Sequence, residues 1–541
     1  MARFINNEPV GGYHGVTTRM QSIQSVCDYE EKKIELNTGY PRFVTHPEVR
    51  ILEENIREKF DALSALSFCS FESALFSVID YYFNNGAKFY VNDAKAEEIV
   101  DFLQQLWGNL IIKSPIGDAD IIITQTSANN KEKQGQILIR IKPSSRNNSD
   151  IIVTGDANAG FVILYKDLIE EFTLLRRNIG FCLSSRRAER INKGKPIGVS
   201  KVISSLQQKI SKLEKTKSSN CLLCPSGMAA VFSSILSCIN KDRTKLVSIG
   251  NLYVDTLCIL ENWPKRKNTA KSGIIFEIDN KEKIEEAIDK TTAAVVIEVP
   301  TNPLLEVADL DYVIKIARQK GAKVIIDSTI ATPYAINPLL LGADVVVHST
   351  TKFLNGKNDH IGGAILAKDE ELLNKIRKLT CMANLYLDEE DARVLDNNIL
   401  GFEERMEKIS KNALEVANFL NKHPLVQKTH YPYLEGNKNL DIEKKYLSKW
   451  VGLVSFVLKE SNKQTASLFY DNLKDPIIKG PSLGAEQTLL CPYTLLAHYE
   501  CSDEELKKLG LDRYLFRISV GTEDANDIIA SLEKGFKAVA A

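Results

Sequence analysis

The stretch from about residue 220 to 370 constrains the fold most. Short apolar runs alternate there with helical segments: "NCLLCPS", "AAVFSSILSCI", "TKLVSIG", "GIIFEI", "KEKIEEAID", "TAAVVIEV", "LDYVIKIARQKG", "AKVIID", "ADVVVHS" and "GGAILA". Strands rich in β-branched residues and separated by helices predict a largely parallel sheet covered on both faces. In such a sheet a ligand sits beyond the carboxyl ends of the strands. Those ends are therefore where chemistry is to be sought.

Four of them carry unusual residues. "NCLLCPSGMAAVF" closes a strand in Ser226-Gly227-Met228 and opens a helix; the backbone N–H groups of such a turn suit a phosphate, and the glycine permits close approach. "VVIEVPTNPLLEV" places Asn302 in a proline turn, and "KVIIDSTIATP" delivers Asp327 straight from an apolar run. A carboxylate at the end of a buried strand needs a cation or hydrogen bonds. "ADVVVHSTTKFLNG" sets Lys352 just after Ser349 and Thr351. A phosphate cradle, an acid suited to a pyridinium nitrogen and a lysine able to form a Schiff base together make a pyridoxal phosphate site. Each taken singly also has a plain structural reading: a helix cap, a turn, a strand end.

The rest of the chain sets the setting. At 541 residues it exceeds one compact core, and its net charge of −1 leaves no electrostatic footprint for nucleic acid or a membrane surface. No apolar run approaches membrane-spanning length, and the N-terminus lacks a secretory pattern, so a cytoplasmic location is expected. Ten cysteines are scattered without framework spacing. Cys221 and Cys224 lie in an apolar strand with no second pair at zinc-ribbon distance, so no metal is expected. The sequon at Asn147 is expected to be idle. Residues 1–50 read as an N-terminal arm, 51–195 as an inserted small α/β region, 196–400 as the ligand-binding large domain and 401–541 as a smaller α+β domain.

The motifs in order, "SGM", "PTNP", "DSTIATP", "STTKFLNG" and "RISVGTED", resemble the Cys/Met-metabolism PLP-dependent enzymes. The likeness covers about residues 220–541. It implies PLP-dependent transferase fold type I and pyridoxal 5'-phosphate as cofactor. It also implies amino-acid substrates and a homodimer or homotetramer with shared active sites. Carried over, Lys352 is the Schiff-base lysine and Asp327 the pyridinium partner. Ser226, Gly227, Met228, Ser349 and Thr351 hold the phosphate, Asn302 lies near the ring hydroxyl and Tyr253 stacks on the ring. Arg517 takes the substrate α-carboxylate, with Ser482 beside it. Tyr40 and Arg42 of "TGYPRF" match residues that reach a neighbouring subunit's phosphate. The segment 51–195, "SSRRAE" and "CPYTLLAHY" are similar to the long, divergent cystathionine γ-synthase-like proteins known chiefly from fungi.

The function this implies is γ-replacement on an O-acylated homoserine with cysteine, giving cystathionine. A sulfhydrylase using sulfide and a cystathionine or methionine γ-lyase are the alternatives, with a regulatory PLP-binding scaffold more remote. Val254 and Asp255 follow Tyr253 where the family has glycines. Asp255 is a candidate to bind the amino group of an incoming cysteine, or else a turn-forming aspartate.

Overall fold

The structure is a computed structural model that describes residues 3–5, 10–36, 45–82, 87–107, 111–113, 115, 118–125, 137–141, 149–165, 168–195, 201–267 and 272–541. Tyr40, Arg42 and Asn147 lie outside these residues.

A short parallel pair joins β1 (Arg3–Ile5) to β2 (Ile34–Leu36). The second sheet comprises β3 (Ser64–Phe68), β4 (Ala87–Asn92), β5 (Ile111–Lys113), β6 (Ile121–Gln125), β7 (Ile137–Ile141), β8 (Ser149–Gly155) and β9 (Gly160–Leu164), in the order β3-β9-β8-β7-β6-β4-β5. The third comprises β10 (Cys221–Cys224), β11 (Lys245–Ile249), β12 (Ser272–Ile275), β13 (Thr292–Glu298), β14 (Lys323–Asp327), β15 (Val345–Ser349) and β16 (Gly363–Ala367), in the order β10-β16-β15-β14-β13-β11-β12. A five-stranded sheet near the C-terminus orders β17 (Val426–His430), β18 (Leu453–Leu458), β21 (Phe516–Ser519), β20 (Leu489–Pro492) and β19 (Ile478–Lys479).

The β10–β16 sheet is parallel except for β16, which runs against both its neighbours. Its strands alternate between two cores, as a period of two requires. Val295, Ile297 and Val299 join a core shared with the C-terminal domain, whereas Ala294 and Val296 join one shared with residues 66–179. The second core holds the helices Phe71–Tyr82, Gly227–Cys238, Val254–Lys267 and Glu370–Met382 between two sheets. Phe76, Phe181, Phe232 and Trp263 form a chain of tilted and edge-on rings through it, each pair contributing about 1 kcal/mol beyond area burial. Trp263 Nε1 donates to Asp80 Oδ2 at 3.0 Å, which satisfies two buried polar groups at once.

The described part of the N-terminal segment packs on its own chain. Val16 N donates to Asn358 O at 2.8 Å, and Met20 N donates to Lys479 O at 2.9 Å. Ser22 caps the helix Ile23–Glu30 in a capping box. All ten cysteines are free thiols. Cys221 and Cys224 are buried in β10, and burial pushes the Cys221 thiol up to about 12. Among the described residues there is no metal-ligating cluster and no helix long and apolar enough to cross a membrane.

Candidate active site

One cavity opens at the carboxyl ends of β10, β13, β14 and β15. Ser226, Gly227, Met228, Tyr253, Asp255, Asn302, Asp327, Ser349, Thr351, Lys352, Ser482 and Arg517 all line it. Every candidate from the sequence that falls among the described residues is thus in one place.

The cradle is built from the turn after β10 and the start of the loop after β15. Ser226 caps the helix Gly227–Cys238, its Oγ accepting from Ala229 N at 3.0 Å. A Cβ on Gly227 would lie 2.7 Å from Ser349 Cβ, so only glycine lets the helix N-terminus come this near to Ser349. The Ser349 hydroxyl is thereby brought beside the start of this helix, where the dipole favours an anion. Thr351 Oγ1 accepts from Gly362 N at 3.1 Å, which fixes the return of the loop towards β16.

Lys352 follows β15 and is only 7% exposed. Its Nζ donates to Ser482 Oγ at 3.0 Å. Ser482 has a φ of 85°, a strained conformation for a residue with a side chain. The lysine loop is held from behind by Arg405, which donates to the carbonyls of Phe353, Leu354 and Asn398.

The floor carries two adjacent carboxylates. Asp327 and Glu298 are register partners on β14 and β13. Burial raises the Asp327 carboxyl, while a hydrogen bond from Thr329 N at 2.9 Å opposes the shift. Burial, with the neighbouring Asp327 charge, holds Glu298 well above the usual carboxylate range, although Tyr253 N donates to its Oε1 at 2.5 Å. Two buried acids side by side ionise unequally. Both line the cavity, and a cationic ligand group beside Asp327 would relieve its desolvation.

Arg517, on β21, donates to Asn302 Oδ1 at 3.0 Å and to Ser482 O at 3.1 Å, with its guanidinium 4.7 Å from the Tyr493 ring centroid. Its buried Nε has no hydrogen-bond partner among the described residues, so the guanidinium keeps an unfilled donor for a carboxylate.

Several lining residues were not among the sequence candidates: Arg177, Gly180, Cys182, Glu298, Thr329 and Tyr493. Glu298 was findable, since "VVIEV" ends in an acid just as "KVIID" does. Arg177 and Cys182 were not, because they come from the segment before the cofactor-binding sheet. Arg177 Nε lies 3.2 Å from Asp255 Oδ1, so Asp255 is a buried, paired carboxylate and not a simple turn residue.

Pyridoxal phosphate fits these residues. They offer a lysine amine, an uncompensated acid, a glycine-serine cradle at a helix N-terminus and an aromatic ring at Tyr253.

Comparison with known proteins agrees. The family model "Cys/Met metabolism PLP-dependent enzyme" matches residues 200–537. The chain is 36% identical over 337 residues to L-methionine gamma-lyase of Fusobacterium nucleatum, covering 62% of this chain and 83% of that protein. It is 33% identical over 307 residues to cystathionine gamma-lyase of Bacillus subtilis, covering 57% and 79%. Among solved structures, cystathionine gamma-lyase from Lactobacillus plantarum complexed with L-serine superposes with a TM-score of 0.58 at 28% identity, covering 63% of this chain and 87% of that one. Cystathionine gamma synthase from Xanthomonas oryzae pv. oryzae in complex with aminoacrylate and cysteine gives 0.58 at 25%, with the same coverage. Its β10–β16 sheet is that of a fold type I PLP-dependent enzyme, and the chain belongs to the Cys/Met metabolism PLP-dependent enzyme family.

Proposed function

We propose that the enzyme carries out γ-replacement on an O-acylated homoserine with cysteine, releasing the acid and joining the two amino acids as cystathionine. The observation that carries this reading is the second charge pair in the cavity. Arg517 serves one zwitterion; Arg177 and Asp255, on a different part of the wall, offer a guanidinium and a carboxylate to another. Sulfide or methionine has no second zwitterionic end to use such a pair, whereas cysteine and cystathionine do.

Bound pyridoxal phosphate supplies the electron sink that stabilises charge left at the substrate carbon. The protein does the rest. Ser349, Thr351 and the Gly227 turn would hold its phosphate, Asp327 would keep its ring nitrogen protonated, and Tyr253 would offer an aromatic face to the ring. Arg517 holds the α-carboxylate by a charge-assisted contact that fixes which bond faces the ring. Lys352 Nζ would hold the cofactor and serve as the base that takes and returns protons, oriented by its hydrogen bond to Ser482 Oγ. Asp255 holds the ammonium of the incoming cysteine, and Arg177 its carboxylate.

Cystathionine γ-lyase activity would use the same residues, and the names of the relatives favour it as the second reading. A product assay separates the two. O-acetyl-, O-succinyl- and O-phosphohomoserine are each supplied with cysteine or sulfide, and cystathionine alone is the control. Cystathionine formation from cysteine is expected, whereas rapid cystathionine cleavage with no replacement would overturn the proposal. Arg177→Ala is expected to raise KM for cysteine about tenfold, a loss of one charge-assisted contact, with KM for the acylated substrate little changed.

A further inference from the structure

The β3–β9 sheet repeats the plan of the cofactor-binding sheet. Numbered along the chain, the seven strands of each lie in the same spatial order, first-seventh-sixth-fifth-fourth-second-third. In both, the seventh strand is antiparallel to the first and the sixth, while the second, third and fourth run parallel. Only the fifth is reversed: β7 pairs antiparallel with β6 and β8, where β14 is parallel to β13 and β15. The reason is connection length. Helix Leu310–Lys320 carries the chain from β13 to β14, whereas β7 is joined through residues 126–136 and 142–148, too short for a crossover.

The two units also share sequence where their first helices start. "SFESALFSVI" (residues 70–79) and "SGMAAVFSSI" (residues 226–235) agree at Ser, Ala, Phe, Ser and Ile. Ser70 caps its helix by accepting from Ser73 N at 3.0 Å, as Ser226 does from Ala229 N.

Their mutual contacts are reciprocal. Ser226 Oγ donates to the carbonyl of Gly180, the C-cap of helix Ile169–Ile179, at 2.7 Å. Ser70 Oγ donates to the carbonyl of Ala383, the C-cap of helix Glu370–Met382, at 3.2 Å. Each acceptor helix is the first after its own seventh strand. Phe76 and Phe232, each the sixth residue of its helix, meet with ring centroids 6.4 Å apart. The next helices, Ser185–Asn192 and Glu389–Asn398, also face each other through Arg187 on Asp388 and Arg186 on Asp391. Equivalent groups exchanged across an axis are the mark of an isologous dimer.

We infer that residues 64–192 are a second, silenced copy of the cofactor-binding domain, docked on the first as a dimer partner within one chain. Silencing is visible residue by residue. Phe71 and Glu72 stand where Gly227 and Met228 form the cradle. The connection from sixth to seventh strand, residues 350–362 with Lys352 in the active copy, is residues 156–159 with no lysine in the other. Only Asp93 separates β4 from its helix, so Tyr253 has no counterpart. What the silent copy retains is the wall: Arg177, Gly180 and Cys182 close the active copy's cavity. That wall belongs to the same chain as the Lys352 it encloses.

Gly180 gives the test. A Cβ there would lie 2.3 Å from Ser226 Oγ and 2.6 Å from Met228 Cβ. Gly180→Ala is expected to weaken pyridoxal phosphate affinity about tenfold, read by titrating the apo chain. Ser70→Ala breaks the reciprocal contact and is expected to lower the melting temperature without changing that affinity. Unchanged affinity in Gly180→Ala, or equal loss in Ser70→Ala, overturns the wall's role. Next, differently tagged Gly180→Ala and Lys352→Ala chains are co-expressed and any hybrid is isolated through both tags. The lysine-bound cofactor absorbance of the hybrid should saturate as weakly as in Gly180→Ala alone, and failure of wild-type and Lys352→Ala chains to form a hybrid equally places the wall in its own chain. Wild-type saturation in the hybrid would show that a second chain supplies the wall and would overturn the inference. If Gly180→Ala does not fold, Cys182→Trp adds bulk to the same wall and is read the same way. None of these readouts depends on which thiol or acyl group the enzyme uses.

Discussion

At the scale of single residues, the site is a set of buried charges gathered on one cavity, Lys352, Asp327, Arg517 and the Arg177–Asp255 pair. Lys352→Ala should abolish the visible absorbance that borohydride bleaches, since no other lysine lines the cavity among the described residues. Retention of that band would refute the assignment of Lys352. Arg517→Ala removes the donors to Asn302 and Ser482 together with the open Nε, and is expected to raise KM for amino-acid substrate by about 10- to 100-fold, as for loss of a charge-assisted pair. Glu298 makes a pH prediction. Its folded-state carboxyl lies above its unfolded value because burial and Asp327 disfavour its charge. Its contribution to stability is therefore fully present below the unfolded value of 4.5 and is lost as pH rises towards the folded one. Glu298→Gln keeps an acceptor for Tyr253 N and cannot ionise. The apo variant should gain stability over wild type as pH rises above about 4.5, by at most about 1.4 kcal/mol per pH unit. Denaturant titrations across pH check it, and a constant difference would show that Glu298 is ionised in the fold.

At the scale of elements, the decisive parts are a turn and its brace. Ser226-Gly227-Met228 joins β10 to its helix, and the Lys352 loop joins β15 to β16. Arg405, on the helix Phe402–Lys422, braces the second through the carbonyls of Phe353 and Leu354 and also holds that of Asn398. Arg405→Ala strands those carbonyls in a buried place and should cost about 3 kcal/mol of stability, with faster loss of cofactor on dilution measured by absorbance. An effect on stability alone, with cofactor release unchanged, would confine Arg405 to packing. The helix Gly227–Cys238 is buried on nearly every side because it lies between two sheets, and its sequence accordingly carries no charge, with Ser234 and Ser237 bonding back to the helix's own carbonyls.

At the scale of the whole molecule, the two seven-stranded sheets share one core. Leu66, Phe76 and Phe172 pack in the same cluster as Phe232, Val296 and Leu379. Residues 64–179 should therefore unfold together with the cofactor-binding sheet in one transition. Amide exchange in β9 and in β15 should collapse at the same urea concentration, and separate midpoints would show two independent units. Saturating cofactor should shift both midpoints alike, by linkage through the shared core.

The sequence by itself determined the cofactor chemistry. Asp327, Lys352, Arg517 and the Ser226 turn are adjacent to strong strand and helix signals, and parallel α/β sheets place strand ends together. Strand–helix alternation over 220–370 was legible for the same reason, since its periodicities are local. Tertiary structure alone decided the rest. The strands over 87–164 were readable one by one as part of a small α/β unit, whereas Ser64–Phe68 was not, and neither was their order as a second copy of the cofactor-binding sheet, because strand order lives in long-range pairing. Arg177 shows it most sharply: an ordinary arginine on an amphipathic helix became a wall of the active site only because that helix docks beside Val254–Lys267 and meets Asp255. Partners that distant in sequence leave no local pattern, so only the folded chain could bring them to view.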